Sequence, residues 1–252
     1  MNNVTIVTAF ISNSNKHRKT EEYINQGKKL LSIVLPKVVF IENHIFQKYF
    51  QQKIDNYPLT KFIIINNHEI SSIYEPVDKM TNFNLNTQTP NKDTKEYICL
   101  MLHKTEWLKK TIEQNNCYNT EQFIWIDFGI FHILNNDELL ENNFTNEIYK
   151  INETKNNKIK IASCWNLEMN FNIDPLTNIL WYFLGGIFGG DKSSLIEFSE
   201  LVKKKALCIL NEHNTLTWEV NIWYLVYKEN PALFNPYYCD HNITMIQGYN
   251  LK

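Results

Sequence analysis

One segment, Phe123-Ile124-Trp125-Ile126-Asp127-Phe128-Gly129, constrains the fold more than any other: an apolar run that ends on a single aspartate and a glycine. A short continuous apolar run bounded by turn residues reads as a strand buried on both faces. The carboxylate at its end then lies at the edge of a sheet, and open α/β sheets bind ligands outside the carboxyl ends of their strands. Similar runs recur at Val4–Phe10, Lys37–Ile41, Lys61–Ile65, Ile159–Ser163 and Leu233–Tyr238. Between them, helical spacing predicts helices over Thr20–Ile33, His44–Lys53, Glu96–Asn115, Asp137–Tyr149, Thr177–Phe183, Lys192–Leu210 and Thr217–Lys228. Strands alternating with helices predict an α/β fold, a mostly parallel sheet flanked by helices, in one domain over residues 1–252. Lys79–Lys95, rich in Thr, Asn and Gln, reads as a loop and the best candidate for a mobile segment.

Composition removes several function classes. A formal net charge of −2 and a pI near 6.4 argue against a general nucleic-acid binder working through a basic face. The skew of 24 lysines to the single Arg18, with 35 asparagines, reads as an AT-rich coding sequence and weakens any argument from Asn or Lys counts. Five scattered cysteines without CxxC spacing predict free thiols in a reducing compartment rather than a zinc site or disulfide framework. Met1–Val7 lacks a basic leader region and enters a strand at once, and no apolar run approaches a bilayer span. The expected setting is cytoplasmic.

Seven glycines are few for this length, and four of them fall within six residues, Gly185-Gly186 and Gly189-Gly190. Glycine allows close approach of a ligand, so the segment reads as a wall of a sugar pocket or, structurally, as a double turn at a helix start. Asp127 reads as a ligand for Mg²⁺ or Mn²⁺ or as the cap of the next turn. Glu219, in Thr217-Trp218-Glu219, fits a helix first turn as well as a general base or nucleophile. His241 is a candidate to complete a metal site with Asp127, and Asp240 competes for that place. Thr8, Ala9 and Phe10 close the first strand, where a doubly wound sheet meets a nucleotide. Gly129, Arg18 and Lys104 are candidates for the diphosphate side, Arg18 because its forked donors suit a diphosphate. Trp165, after the strand at 159–163, is a candidate wall of the sugar pocket.

Taken together these segments resemble the HtrL/YibB family, a group regarded as glycosyltransferases. The resemblance rests on Val7-Thr8-Ala9-Phe10, Arg18 and Tyr23, the W-x-D-x-G centre (Trp125, Asp127, Gly129), the paired glycines, the helix with Glu219, and Pro231 to Phe234. The C-terminal half is also similar to blood-group-type galactosyl- and N-acetylgalactosaminyltransferases, in which a glycine-rich stretch precedes an acidic helix start. The resemblance implies a GT-A fold and a nucleotide-sugar donor, UDP-sugar favoured. It also implies a divalent metal held by a D-x-D motif, shortened here to Asp127 alone, with Glu121 expected across the strand and His241 or Asp240 as substitute ligand. Two further readings stay open: a silent glycan- or partner-binding protein on the same fold, and a nucleotide-sugar hydrolase.

Overall fold

The computed structural model describes residues 3–12, 19–65, 73–87, 89–169 and 171–251. Seven strands form one sheet in the order β3-β2-β1-β4-β6-β5-β7. They are β1 (Val4–Phe10), β2 (Lys37–Glu42), β3 (Thr60–Ile65), β4 (Gln122–Ile126), β5 (Ile159–Ser163), β6 (Ile187–Asp191) and β7 (Phe234–Tyr238). β1 pairs in parallel with β2 and β4, β2 with β3, and β5 with β7; β6 runs antiparallel to both β4 and β5. The expected α/β class with a mostly parallel sheet is therefore what the chain adopts.

The continuous apolar strands are buried on both sides because helices cover both faces. Alternation along β1 and β4 sends Val7, Phe123 and Trp125 to one core and Val4, Ile6, Ile124 and Ile126 to the other. The first core is roofed by α4 (Lys95–Leu102), α5 (Lys104–Gln114), α7 (Lys192–His213) and α8 (Glu219–Glu229), through Leu102, Trp107, Leu108, Phe198, Val202 and Trp223. The second is roofed by α1 (Thr20–Ser32), α6 (Glu138–Lys150) and α9 (Thr244–Asn250), through Leu30, Phe144, Ile148 and Ile246. Two short helices, α2 (Asn43–Tyr49) and α3 (Tyr74–Asp78), complete the set among the described residues. None of the described helices is long and apolar enough to cross a membrane. All five cysteines are free.

Several elements differ from the sequence expectation, each for an identifiable reason. The helix expected over Glu96–Asn115 is broken into α4 and α5 at His103, whose buried ring lies 3.2 Å through Nδ1 from the Cys99 carbonyl oxygen. The helix expected over His44–Lys53 ends as α2 at Tyr49 and continues as a 3₁₀ turn over Gln51–Asn56, with Lys53 outside helical angles. α3 and α9 carried no expectation at all. The loop expected to be mobile is tied down at one point: the buried Asp93 carboxylate accepts hydrogen bonds from the Thr87 and Thr89 hydroxyls, both at 2.6 Å.

The helix expected over Thr177–Phe183 is absent, and turns take its place. Its backbone groups are satisfied instead by one fully buried side chain. Asn221 accepts from the Leu180 N–H at 2.7 Å and donates to the carbonyls of Pro175 and Asn178, both at 2.7 Å. Backbone polar groups paired this way gain nothing from an i to i+4 ladder.

The second glycine pair is not a turn but the interior of β6, paired with Phe123 and Ile124 of β4. A Cβ at Gly189 would meet the Phe123 carbonyl oxygen at 2.5 Å and the Ile124 Cα at 2.9 Å, and backbone in mid-sheet has nowhere to go. Gly189→Ala is therefore expected to cost about 1–3 kcal/mol by overpacking, read as a lowered urea midpoint. A variant as stable as the parent would show that the sheet can spread there.

Candidate functional site

The strand order fixes where a crevice must open. From β1 the chain winds outward through β2 and β3, then returns to place β4 on the other side of β1. The carboxyl ends of β1 and β4 thus lie side by side where the winding reverses, the switch point at which α/β sheets bind ligands. A cavity of about 380 Å³ lies there. One wall is Ala9, Phe10 and Ile11 at the end of β1; the other is Trp125, Asp127, Phe128 and Gly129 at the end of β4. The α4–α5 pair supplies Tyr97, Met101, Lys104 and Trp107; Tyr23 of α1, Lys92 and His132 complete the rim. Phe10 and Phe128 stack with centroids 5.1 Å apart, giving the crevice an aromatic side.

Its charged floor is built from three elements. Trp125 and Asp127 are two residues apart in an extended segment and so share a face; the Trp125 Nε1–H donates to Asp127 Oδ1 at 2.6 Å. The Trp125 ring is itself stacked on Trp107 of α5 at 5.8 Å and 8°. The break at His103 starts α5 at Lys104, whose side chain is only 3% exposed. Its ammonium lies 3.0 Å from Asp127 Oδ1 and 3.2 Å from Glu219 Oε1, and donates to the Gly185 carbonyl at 3.0 Å. Lysine is almost never buried so fully unless paired. Burial opposes its charge, but the pull of Asp127 and Glu219 outweighs that, so the Lys104 pKa is raised. The pKa of Tyr97 on the same wall is also raised, by burial first and by the Glu219 and Asp127 charges second.

Lys104, Asp127, Glu219, Gly185 and Gly186 of the expected site residues are thus brought together. The Asp127 N–H donates to the Gly186 carbonyl at 2.9 Å, extending the β4–β6 ladder by one bond. Gly185 is required by the cluster: a Cβ there would meet Glu219 Oε1 at 2.5 Å and Lys104 Nζ at 3.2 Å. The two carboxylates differ in access, with the Asp127 side chain 36% exposed and that of Glu219 10%, so Glu219 stands behind Lys104. Ala9, Phe10 and Gly129 line the crevice, whereas Thr8 is fully buried inside β1 and its hydroxyl finds no hydrogen-bond partner among the described residues. Arg18 lies outside the described residues. Trp165 is placed in an aromatic cluster, edge-on to Phe171 and Tyr182 at 4.9 and 5.4 Å, and not on the crevice wall. Glu121 forms an ion pair with Lys192 at 2.7 Å.

His241 packs edge-on against Trp181 at 5.0 Å, and burial lowers its pKa while Asp240 raises it. Asp240 lies 3.9 Å from the Cys164 thiol. Among the described residues no three His, Cys, Asp or Glu side chains converge as a metal cluster. Sequence reasoning missed Tyr97, Lys92 and His132. Only His132 left a signal, its place five residues after Asp127 in the segment Asp127-Phe128-Gly129-Ile130-Phe131-His132.

The fold and its site define a class of protein: an α/β sheet with a charged, aromatic crevice at its switch point. The chain belongs to the HtrL_YibB family, whose model, described as a bacterial protein of unknown function, matches residues 2–242. No curated protein matches it by sequence. Among solved structures it is similar to mouse xyloside xylosyltransferase 1 in its apo form, at 8% identity and a TM-score of 0.46, over 92% of this chain and 84% of that one. It is also similar to 4-diphosphocytidyl-2C-methyl-D-erythritol synthase from Anaerococcus prevotii, at 10% identity and a TM-score of 0.42, over 98% and 94% of the two chains.

Proposed function

We propose that the chain is a glycosyltransferase that moves a sugar from a nucleotide-sugar donor, UDP-sugar favoured, to a hydroxyl of a glycan or small acceptor. The observation that carries this reading is the Lys104–Asp127 pair on the floor of the switch-point crevice, below an aromatic wall. A nucleoside diphosphate has the matching shape: a flat base for the Phe10 side and an anionic diphosphate for the charged end. Gly185 and Gly186 lie against the same carboxylates, where a missing Cβ lets Glu219 and Lys104 close up behind Asp127. The sheet takes strands from both halves of the chain, which supports reading it as one domain.

The donor set at Asp127 fits a divalent cation. Lys104 brings one positive charge against two carboxylates, so one negative charge remains and faces the crevice through Asp127. An ionised carboxylate offers about four lone-pair sites, and Trp125 and Lys104 use two of them. Mg²⁺ or Mn²⁺ held there would neutralise charge developing on the departing diphosphate. Lys104 keeps Asp127 oriented by its ion pair. Glu219, shielded behind that ammonium, acts as a positioning residue that holds Lys104 in place rather than as the group that meets the sugar.

Asp127→Asn tests the assignment. Release of nucleoside diphosphate from a panel of nucleotide sugars is expected to fall by at least about 100-fold, the scale of losing one preorganised electrostatic group. The melting temperature should stay near that of the parent, because Asp127 is partly exposed. Full turnover in the variant would sink the reading.

A further inference from the structure

We infer that His132 is the imidazole partner of Asp127 in holding the divalent cation, and that the site is completed only when a nucleoside diphosphate adds its own oxygens. This rests on the nucleotide-sugar reading above and deepens it.

The turn after β4 brings the two residues to one place. The Asp127 carbonyl accepts from the Ile130 N–H at 2.9 Å and the Gly129 carbonyl from the His132 N–H at 3.0 Å, curling the chain into the 3₁₀ turn Ile130–Leu134. Asp127 and exposed His132 consequently line the same crevice, with Gly129 between them. The ring is also oriented for ligation. His132 Nδ1 lies 2.7 Å from the Gly129 carbonyl oxygen. That oxygen can only accept, so Nδ1 carries the hydrogen and Nε2 of the neutral ring carries the lone pair. Metal-binding histidines are held in this way, the second ring nitrogen donating to a carbonyl or carboxylate that fixes the tautomer.

Two protein donors do not make a metal site alone, in keeping with the absence of any three-residue cluster among the described residues. They suit Mn²⁺, which accepts one imidazole beside oxygen donors, better than Mg²⁺, a hard cation held by oxygens alone, often one or two carboxylates plus substrate phosphates and water. His241 is placed differently: its ring is edge-on to Trp181 and the acid whose charge acts on it is Asp240, although it and His132 sense each other's charge.

The experiment is Mn²⁺ binding followed by electron paramagnetic resonance, with and without UDP, GDP, CDP and dTDP in turn, on the whole chain and on His132→Ala and His241→Ala. Melting temperatures confirm that both variants fold. The expected result is that Mn²⁺ binds only with a nucleotide present, at least about 10-fold more weakly in His132→Ala, and unchanged in His241→Ala. Unchanged Mn²⁺ binding in His132→Ala, or Mn²⁺ bound without any nucleotide, would overturn the inference. A nucleotide that binds by calorimetry as tightly without Mn²⁺ as with it would also overturn it while leaving the transferase reading in place. No nucleotide binding under any condition would overturn the transferase reading itself.

Discussion

Replacing Lys104 with methionine is expected to destabilise the fold by about 3–5 kcal/mol, the cost of removing one partner from a buried ion pair. The methionine matches the lysine stem in bulk, so little packing is lost. What remains are two carboxylates, Asp127 and Glu219, that had faced one ammonium at 3.0 and 3.2 Å. The Gly185 carbonyl also loses its donor. Adding Glu219→Gln to Lys104→Met should recover part of the loss, and a double-mutant cycle over the two sites should show clear coupling. The pH dependence has a definite sign. The Lys104 pKa is raised in the folded state, so its contribution is complete below the unfolded lysine value of about 10.4 and is lost as pH climbs through the higher folded value. Urea unfolding of parent and Lys104→Met should therefore differ by a constant amount at neutral pH and converge in strong alkali. A variant as stable as the parent at neutral pH would show that the two carboxylates need no cation.

Asn221→Leu is expected to cost about 3–4 kcal/mol, close to the limit for a single substitution. The leucine fits the space of the amide but strands the Leu180 N–H and the Asn178 carbonyl, while the Pro175 carbonyl keeps only the Thr217 hydroxyl as donor. The Thr217 hydroxyl, which accepts from the same amide at 2.9 Å, loses that donor. The loop 174–184 leads directly into Gly185, which packs against Glu219 and Lys104, so its loosening should also disturb the charged floor of the crevice. Thermal unfolding should move down by roughly 10 °C for a chain of this size. A shift of a degree or two would mean that water replaces the amide without penalty.

These two side chains mark the boundary of what the sequence discloses. Strands β1, β4 and β5 were legible because they are short runs dominated by apolar residues, interrupted only by Thr5, Thr8 and Lys160. Asp127 was legible as a strand-end carboxylate for the same reason. Asn221 was not, because it is one of 35 asparagines and nothing local separates a pinning amide from a surface one. Lys104 was a weak candidate among 24 lysines; its pairing with Glu219 spans 115 residues and depends on a helix break at His103 that the apolar spacing runs straight through. The glycine cluster was read as one feature but divides into two by position. Gly185 and Gly186 border the carboxylates, while Gly189 and Gly190 admit neighbouring backbone in mid-sheet. Trp165 misled because aromatic rings serve cores and sugar pockets alike, and here its neighbours are Phe171 and Tyr182.

The central claim is that the crevice between β1 and β4 receives a nucleoside diphosphate. The most direct measurement is a thermal-shift screen of UDP, GDP, CDP and dTDP, each with and without Mn²⁺, on the parent and on Asp127→Asn. A ligand that binds only the native state raises the melting temperature by mass action, by about 2.7 kcal/mol of added stability at 100 times its Kd. The account predicts a clear rise with one nucleotide, strongest with Mn²⁺ and lost in Asp127→Asn. No rise with any of the four nucleotides, with or without the metal, would contradict it and leave a silent binding protein on this fold.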